Sequence, residues 1–111
     1  MKVTISTIEE FDRQARRLAK KYKSLKADLM ILQKEIMENP FIGSDLGSGI
    51  RKIRLAIASK GKGKSGGARV LTLTVLVSKD AEVTLLTIYD KNEIENVSDE
   101  YIRWLIDEAK K

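Results

Sequence analysis

The 111-residue sequence contains no cysteine and no histidine. Without cysteine there are no disulfides, thiolate metal sites, iron–sulfur clusters or thiol nucleophiles. Without histidine, the side chain that titrates most readily near neutral pH is missing. Ser–His–Asp hydrolysis, paired-histidine nuclease chemistry and imidazole-held metals are therefore excluded. Any catalysis falls to Lys, Arg, Tyr or carboxylates. Proline occurs once, at Pro40. No apolar run approaches the ~18 residues that a membrane span needs. Polar and acidic residues follow Met1 within ten positions, so no signal peptide is expected. The expected location is cytoplasmic, away from membranes.

What is present is a hydrophobic fraction of 42% and a charged fraction of 33%. These values suit a globular chain with a charge-rich surface. Residues 1–111 are expected to form one domain with one core. The net charge of +5 is unevenly placed. From Leu46 to Lys79 there are eight basic residues and no acid, and from Arg13 to Lys26 seven more, again with no acid. From Asp80 to Lys111 nine acids face four bases. A basic strip without interleaved acids is the electrostatic footprint of a polyphosphate partner. The plainer alternative is a lysine-rich solvated surface.

Val3 and Ile5 alternate with polar residues, as in a short strand. Thr7 and Glu10 have the spacing of a capping box. Ile8, Phe11, Ala15, Leu18 and Tyr22 then recur at helical spacing. On another side of that helix Arg13, Arg16, Arg17 and Lys20 form a basic stripe. A second helix is predicted from Ser24 to Glu38, with Leu25, Leu29, Leu32 and Ile36 inward, ended by Asn39-Pro40. Met30 and Met37 lie outside that stripe and are expected either to pack on the first helix, the favoured reading, or to meet a partner. Phe41 to Gly49 reads as a turn-rich link. Strands are predicted over Ile50–Ser59, Gly67–Val77 and Val83–Tyr89, paired as an antiparallel meander. In the first of these Ile53, Leu55 and Ile57 share one face, and Lys52 and Arg54 the other. Ser98 should cap a last helix carrying Ile102, Leu105, Ile106 and Ala109 inward. The fold class is α+β: a helical hairpin on a small, mainly antiparallel sheet, with a C-terminal helix.

Lys60 to Gly67 reads Lys-Gly-Lys-Gly-Lys-Ser-Gly-Gly. Its glycines let backbone approach phosphates closely, and Lys60, Lys62 and Lys64 supply mobile cations. Gly63-Lys64-Ser65 looks like the end of a nucleotide P-loop. That motif needs a glycine where Ala58 stands and a helix where a strand is predicted, so it is rejected.

These residues together resemble the RelE/ParE toxin superfamily, most closely its HigB-like branch. The resemblance rests on the two leading helices, Asn39-Pro40, Arg51-Lys52-Ile53-Arg54-Leu55, the Lys-Gly loop running into Arg69-Val70, and Tyr89-Asp90-Lys91-Asn92-Glu93. It implies the toxin of a type II toxin–antitoxin pair. In the RelE and HigB branches the activity is cleavage of mRNA in the ribosomal A site; in the ParE branch the target is DNA gyrase, without cleavage by the toxin. A plain RNA-binding module is the third possibility. The resemblance carries catalytic roles to Lys52, Arg54, Arg69 and Lys91. Attack by a 2′-hydroxyl needs a base, charge stabilisation and an acid for the leaving 5′-oxygen. Arg54 and Arg69 suit the phosphate, because a guanidinium binds it bidentately. Lys52 or Lys91 is the candidate proton carrier. Lys60, Lys62, Lys64, Arg13, Arg16, Arg17 and Lys20 are the candidate RNA-binding residues. Implied partners are an antitoxin with an acidic or amphipathic segment, the ribosome and its mRNA, with operator DNA reached only through the antitoxin complex. No cofactor is expected. Nor is a metal expected, because the Leu46–Lys79 stretch lacks the clustered carboxylates that a two-metal site requires.

Overall fold

The computed structural model describes all residues from Met1 to Lys111. In chain order the elements are β1 (Val3–Thr7), α1 (Glu9–Lys21), α2 (Leu25–Glu38), β2 (Ser44–Gly47), β3 (Ile50–Leu55), β4 (Ala68–Val77), β5 (Asp80–Asp90) and α3 (Asp99–Ala109). The five strands form one sheet in the order β1-β5-β4-β3-β2. The β3-β4-β5 meander is antiparallel as predicted, β2 adds antiparallel to β3, and β1 pairs parallel to β5. The architecture is the expected α+β.

Each sheet face carries its own core. Under α1 and α2 lie Phe11, Leu18, Leu25, Leu32 and Ile36, packed on Ile53, Leu55, Val70, Val83 and Ile88. Under α3 lie Ile50, Leu71, Leu86, Tyr89 and Leu105. β5 serves both because it is bulged: Leu71 pairs with Thr87 and Thr72 with Leu85, which leaves Leu86 as an extra residue. The bulge switches the alternation of side chains. Val83 and Leu85 before it and Ile88 after it therefore all reach the helical-hairpin core.

Several expectations are corrected. The N-cap of α1 is Ile8 and makes no side-chain cap bond, so the Thr7–Glu10 capping box does not form. Glu10 is drawn instead toward Tyr101 and Arg13. Met30 and Met37 do not pack on α1; they are 59% and 50% exposed. Leu25, Leu32 and Ile36 already fill the inward side of α2. The Phe41–Gly49 link contains β2. β3 stops at Leu55, and Ala58–Lys60 is a single 3₁₀ turn. Asp28, buried on α2, accepts from the Ala58 N–H, and Ser24 Oγ accepts from the Ser59 N–H. Those bonds pull the chain out of the sheet. The β4-β5 turn is Ser78-Lys79, with Ser78 at φ +60°. Ser98 does cap α3, accepting from the Tyr101 N–H. No helix is long and apolar enough to cross a membrane.

Candidate functional site

Strand register builds the site. Arg54 lies directly opposite Arg69, and Lys52 opposite Leu71. Arg69 in turn lies opposite Tyr89. Residues at i and i+2 of a strand share a face, so Lys52, Arg54, Arg69 and Tyr89 all stand on the α3 side of the sheet. α3 covers only part of that side. The remainder is an open groove of about 350 Å³ whose lining includes Lys52, Arg54, Arg69 and Lys91, with Ser44, Glu95 and Asn96 among its walls. The four side chains proposed from sequence as catalytic thus meet in one concavity.

None of these four cations has a carboxylate oxygen within 4.0 Å, whereas Arg13, Arg17, Lys21, Arg51, Lys60, Lys64 and Lys111 all do. Like charges directly opposite on neighbouring strands are destabilising. The Arg54–Arg69 pair therefore opposes folding unless an anion settles between them.

Arg69 is only 5% exposed. Its guanidinium donates to the carbonyls of Lys64 and Ala68 at 3.0 and 3.1 Å, and to that of Ser65 at 3.4 Å. It is both a cation of the groove and the clasp of the Lys-Gly loop. Burial, then the neighbouring Arg54 charge, lowers its pKa. The loop closes on Gly67, where a Cβ would stand 2.0 Å from the Leu55 carbonyl oxygen. No residue with a side chain fits there.

A second node holds the other end of the loop. The Asp90 side chain is fully buried. It accepts from Lys60 Nζ at 2.8 Å, from the Asn92 N–H at 2.9 Å and from the Tyr22 hydroxyl, with Lys21 Nζ at 3.7 Å. Burial pushes its carboxyl up, but the bonds from Lys60, Tyr22 and Asn92 outweigh that and bring it to about 2. The Lys91 N–H donates to the Gly67 carbonyl. Asp90 therefore fixes the turn that presents Lys91 and anchors the loop through Lys60. This corrects the reading of Lys60 as a mobile phosphate ligand: its side chain is 6% exposed and committed to Asp90. Lys62 and Lys64 remain on the exposed loop, Lys64 with Glu35 at 3.7 Å.

The α1 stripe is partly neutralised. Arg13 pairs with Glu10 and Arg17 with Glu93, while Arg16 and Lys20 are exposed. Asp90 and Glu93 are thus occupied by cations, and no three acidic side chains converge anywhere in the chain.

Sequence reasoning missed a third node. Glu10, 8% exposed, accepts from Arg13, from Gln14 and from the Tyr101 hydroxyl, which also meets Thr87 Oγ1 at 2.9 Å. Burial raises the Glu10 carboxyl, yet the bonds from Tyr101, Arg13 and Gln14 leave it below its ordinary range. Tyr101 is pushed up to about 12, by burial first and then by its bond to Glu10. The only signal in the sequence was an acidic residue on the inward side of a predicted helix.

Comparison with known families gives a match over nearly the whole chain. The family model described as the RelE toxin of the RelE/RelB toxin–antitoxin system matches residues 7–111.

Proposed function

The chain belongs to the RelE toxin family of toxin–antitoxin systems, and from that premise we propose that it is a ribosome-dependent endoribonuclease that cleaves mRNA in the A site and so inhibits translation. The observation that carries this reading is the groove of four cations without a carboxylate partner. A phosphodiester is the anion that such a groove fits. The cytoplasmic location and the nearer likeness to the HigB branch belong to the same proposal.

The 2′-oxygen attacks phosphorus and forms the 2′-O–P bond while the P–O5′ bond breaks. The 2′-hydroxyl proton leaves to a base and a proton reaches the departing 5′-oxygen. The products are a 2′,3′-cyclic phosphate and a 5′-hydroxyl. Arg54 and Arg69 are assigned to the non-bridging oxygens, where charge grows in the transition state. Arg69 is preorganised for this by the loop carbonyls that hold it. Lys52 and Lys91, at the groove walls, are assigned to proton transfer and to the flanking phosphates. Arg16, Lys20 and Lys62 supply sequence-independent attraction to RNA. The antitoxin implied by the family would silence the chain by covering the groove or displacing its walls.

Purified chain, added to ribosomes programmed with a defined mRNA, should release fragments cut within the A-site codon. A Lys52→Ala/Arg54→Ala double variant should not. Intact mRNA together with gyrase-linked DNA breaks in cells would replace this reading with the gyrase one.

A further inference from the structure

Attack by a 2′-hydroxyl needs a group that accepts its proton. Four of the five charged side chains that line the groove, Lys52, Arg54, Arg69 and Lys91, belong to residue types that already carry one. Arginine stays protonated in proteins. Lysines in water ionise at ~10.4, so on the order of one in a thousand is a free base at neutral pH. The fifth charged side chain is Glu95, the only carboxylate of the groove. It is exposed, with no cation within 4.0 Å. The other acids around the site are engaged: Asp90 with Lys60 and Tyr22, Glu93 with Arg17, and Glu35 with Lys64. The backbone that carries Glu95 is held on both sides. The N–H groups of Glu93 and Ile94 donate to the Asp90 carbonyl at 3.0 and 3.1 Å, and the Lys91 N–H donates to the Gly67 carbonyl. On the other side Ser98 caps α3. A solubilising acid has no need of a fixed backbone. Here an anchored turn sets an unpaired carboxylate into the concavity where four cations meet.

We infer that Glu95 is the general base of the cleavage step, its carboxylate taking the 2′-hydroxyl proton of the nucleotide whose 3′-phosphate lies on Arg54 and Arg69. The 2′-oxygen forms its bond to phosphorus, the P–O5′ bond breaks, and the 5′-oxygen takes a proton from the ammonium of Lys52 or Lys91. Glu95 ends protonated and that lysine neutral. One proton passed between them through solvent restores both, so the cycle needs no co-reactant. Of the two proton transfers the lysines keep the second, for which an ammonium is already in the right form. Four cations against one carboxylate leave the groove attractive to a phosphodiester, so the base can stand beside the phosphate without expelling it. The inference rests on the endoribonuclease reading and names the base that reading requires.

Glu95→Gln keeps the size of the side chain and removes the proton acceptor, at an exposed position where the fold does not depend on it. On ribosomes programmed with a defined mRNA, it should lower the saturating single-turnover rate about a hundredfold or more, the lower end of what a general base contributes. The ribosome concentration that gives half that rate should stay level or fall, because a negative charge has left the groove. A second mRNA carries sulfur in place of the bridging 5′-oxygen at the cut. A thiolate departs without a proton, so the acid is no longer needed while the base still is. Glu95→Gln should be equally impaired on this substrate. A Glu95→Gln chain that cuts as fast as wild type, or faster, overturns the inference, because the carboxylate then only opposes RNA. A defect that vanishes on the sulfur substrate overturns it too, by moving Glu95 to the leaving-group side. So does a defect confined to the half-saturating concentration, which is a binding effect. In these three outcomes the wild-type chain still cuts, and the endoribonuclease reading stands. A wild-type chain that cuts neither substrate overturns both.

Discussion

Asp90→Asn removes one negative charge and almost no volume from a fully buried position, and it strands Lys60. The Lys60 side chain is 6% exposed and has no other carboxylate within 4.0 Å. Stripping one partner from a buried ion pair costs about 3–5 kcal/mol, because the remaining charge stays desolvated. Proton linkage gives a second measure. A carboxyl that falls from 3.8 to about 2 on folding contributes about 2 kcal/mol at neutral pH. The folded pKa is the lower one, so this contribution is present above pH 3.8 and disappears as the pH falls toward 2. The linkage figure counts proton affinity alone, while the substitution also weakens the bonds to Lys60 and Lys21. The expected loss is therefore about 3 kcal/mol, a large share of a small domain's stability. Urea unfolding followed by circular dichroism at pH 7 measures it. The same titration at pH 2 should show wild type and variant drawing together. Adding Lys60→Met should restore part of the loss, since a neutral pair suits the buried site better than a lone ammonium. A cost under about 1 kcal/mol, or double-variant losses that simply add, would refute the argument that this ion pair holds the loop and the Lys91 turn in place.

Arg69→Ala should lower single-turnover cleavage by about a hundredfold or more, as for other preorganised charge stabilisers. It should also speed amide exchange over residues 61–66, because the loop carbonyls lose their donor; Arg69→Lys should recover little of either, lacking the planar fork. Lys52→Ala and Lys91→Ala should each cut cleavage without lowering the urea midpoint, since neither side chain is paired with a carboxylate and each adds to the repulsion within the groove. Arg16→Glu should weaken ribosome binding and reduce its salt slope by about one contact, with the rate on saturating ribosomes unchanged. Tyr101 is raised from 10.0 to about 12 in the fold, so its contribution is intact below pH 10 and lost as the pH climbs toward 12. Tyr101→Phe should abolish that alkaline transition and shift the emission of Trp104, whose ring stacks on Tyr101 at 5.9 Å.

Helix and strand identities were legible because their signals are local. The α2 stripe of Leu25, Leu32 and Ile36 needs only the 3.6-residue period to be read, and Ser98 followed by acids is a cap signal contained in three residues. β2 was not legible, since Ser44–Gly47 is exposed along its whole length and carries no alternation to detect. Nor was the bulge at Leu86: Val83-Thr84-Leu85-Leu86-Thr87-Ile88 breaks its alternation at Leu85-Leu86, but only the pairing with β4 shows that the break leaves one residue over rather than ending the strand. The basic members of the groove could be named from pattern and resemblance, but their burial could not. Arg69 and Lys60 read alike as cations flanking a glycine-rich loop. Long-range partners separate them: Asp90 claims Lys60 from thirty residues away, and the carbonyls of the folded loop claim Arg69.

That division of cations follows from where the acids sit. The acid-rich stretch after Asp80 does not run over the groove as a blanket of counter-charge. Asp90 turns inward to Lys60 and Tyr22, and Glu93 turns outward to Arg17 and Lys21. Glu95 alone lines the groove, and no cation there lies within salt-bridge distance of it. The fold thus uses its acids to hold the loop, the 91–94 turn and α1 around the site while leaving Lys52, Arg54, Arg69 and Lys91 uncompensated. The self-repulsion of those four cations is borne by the two cores and by the Asp90 and Glu10 nodes. Binding an anion relieves it, and that relief adds to the binding free energy of a phosphodiester. The same reasoning predicts that inorganic phosphate at millimolar concentration raises the urea midpoint of the wild-type chain, as any ligand of the folded state must. An Arg54→Ala/Arg69→Ala chain should not respond. An equal response from both would place the anion elsewhere on the surface and remove the electrostatic basis of the site.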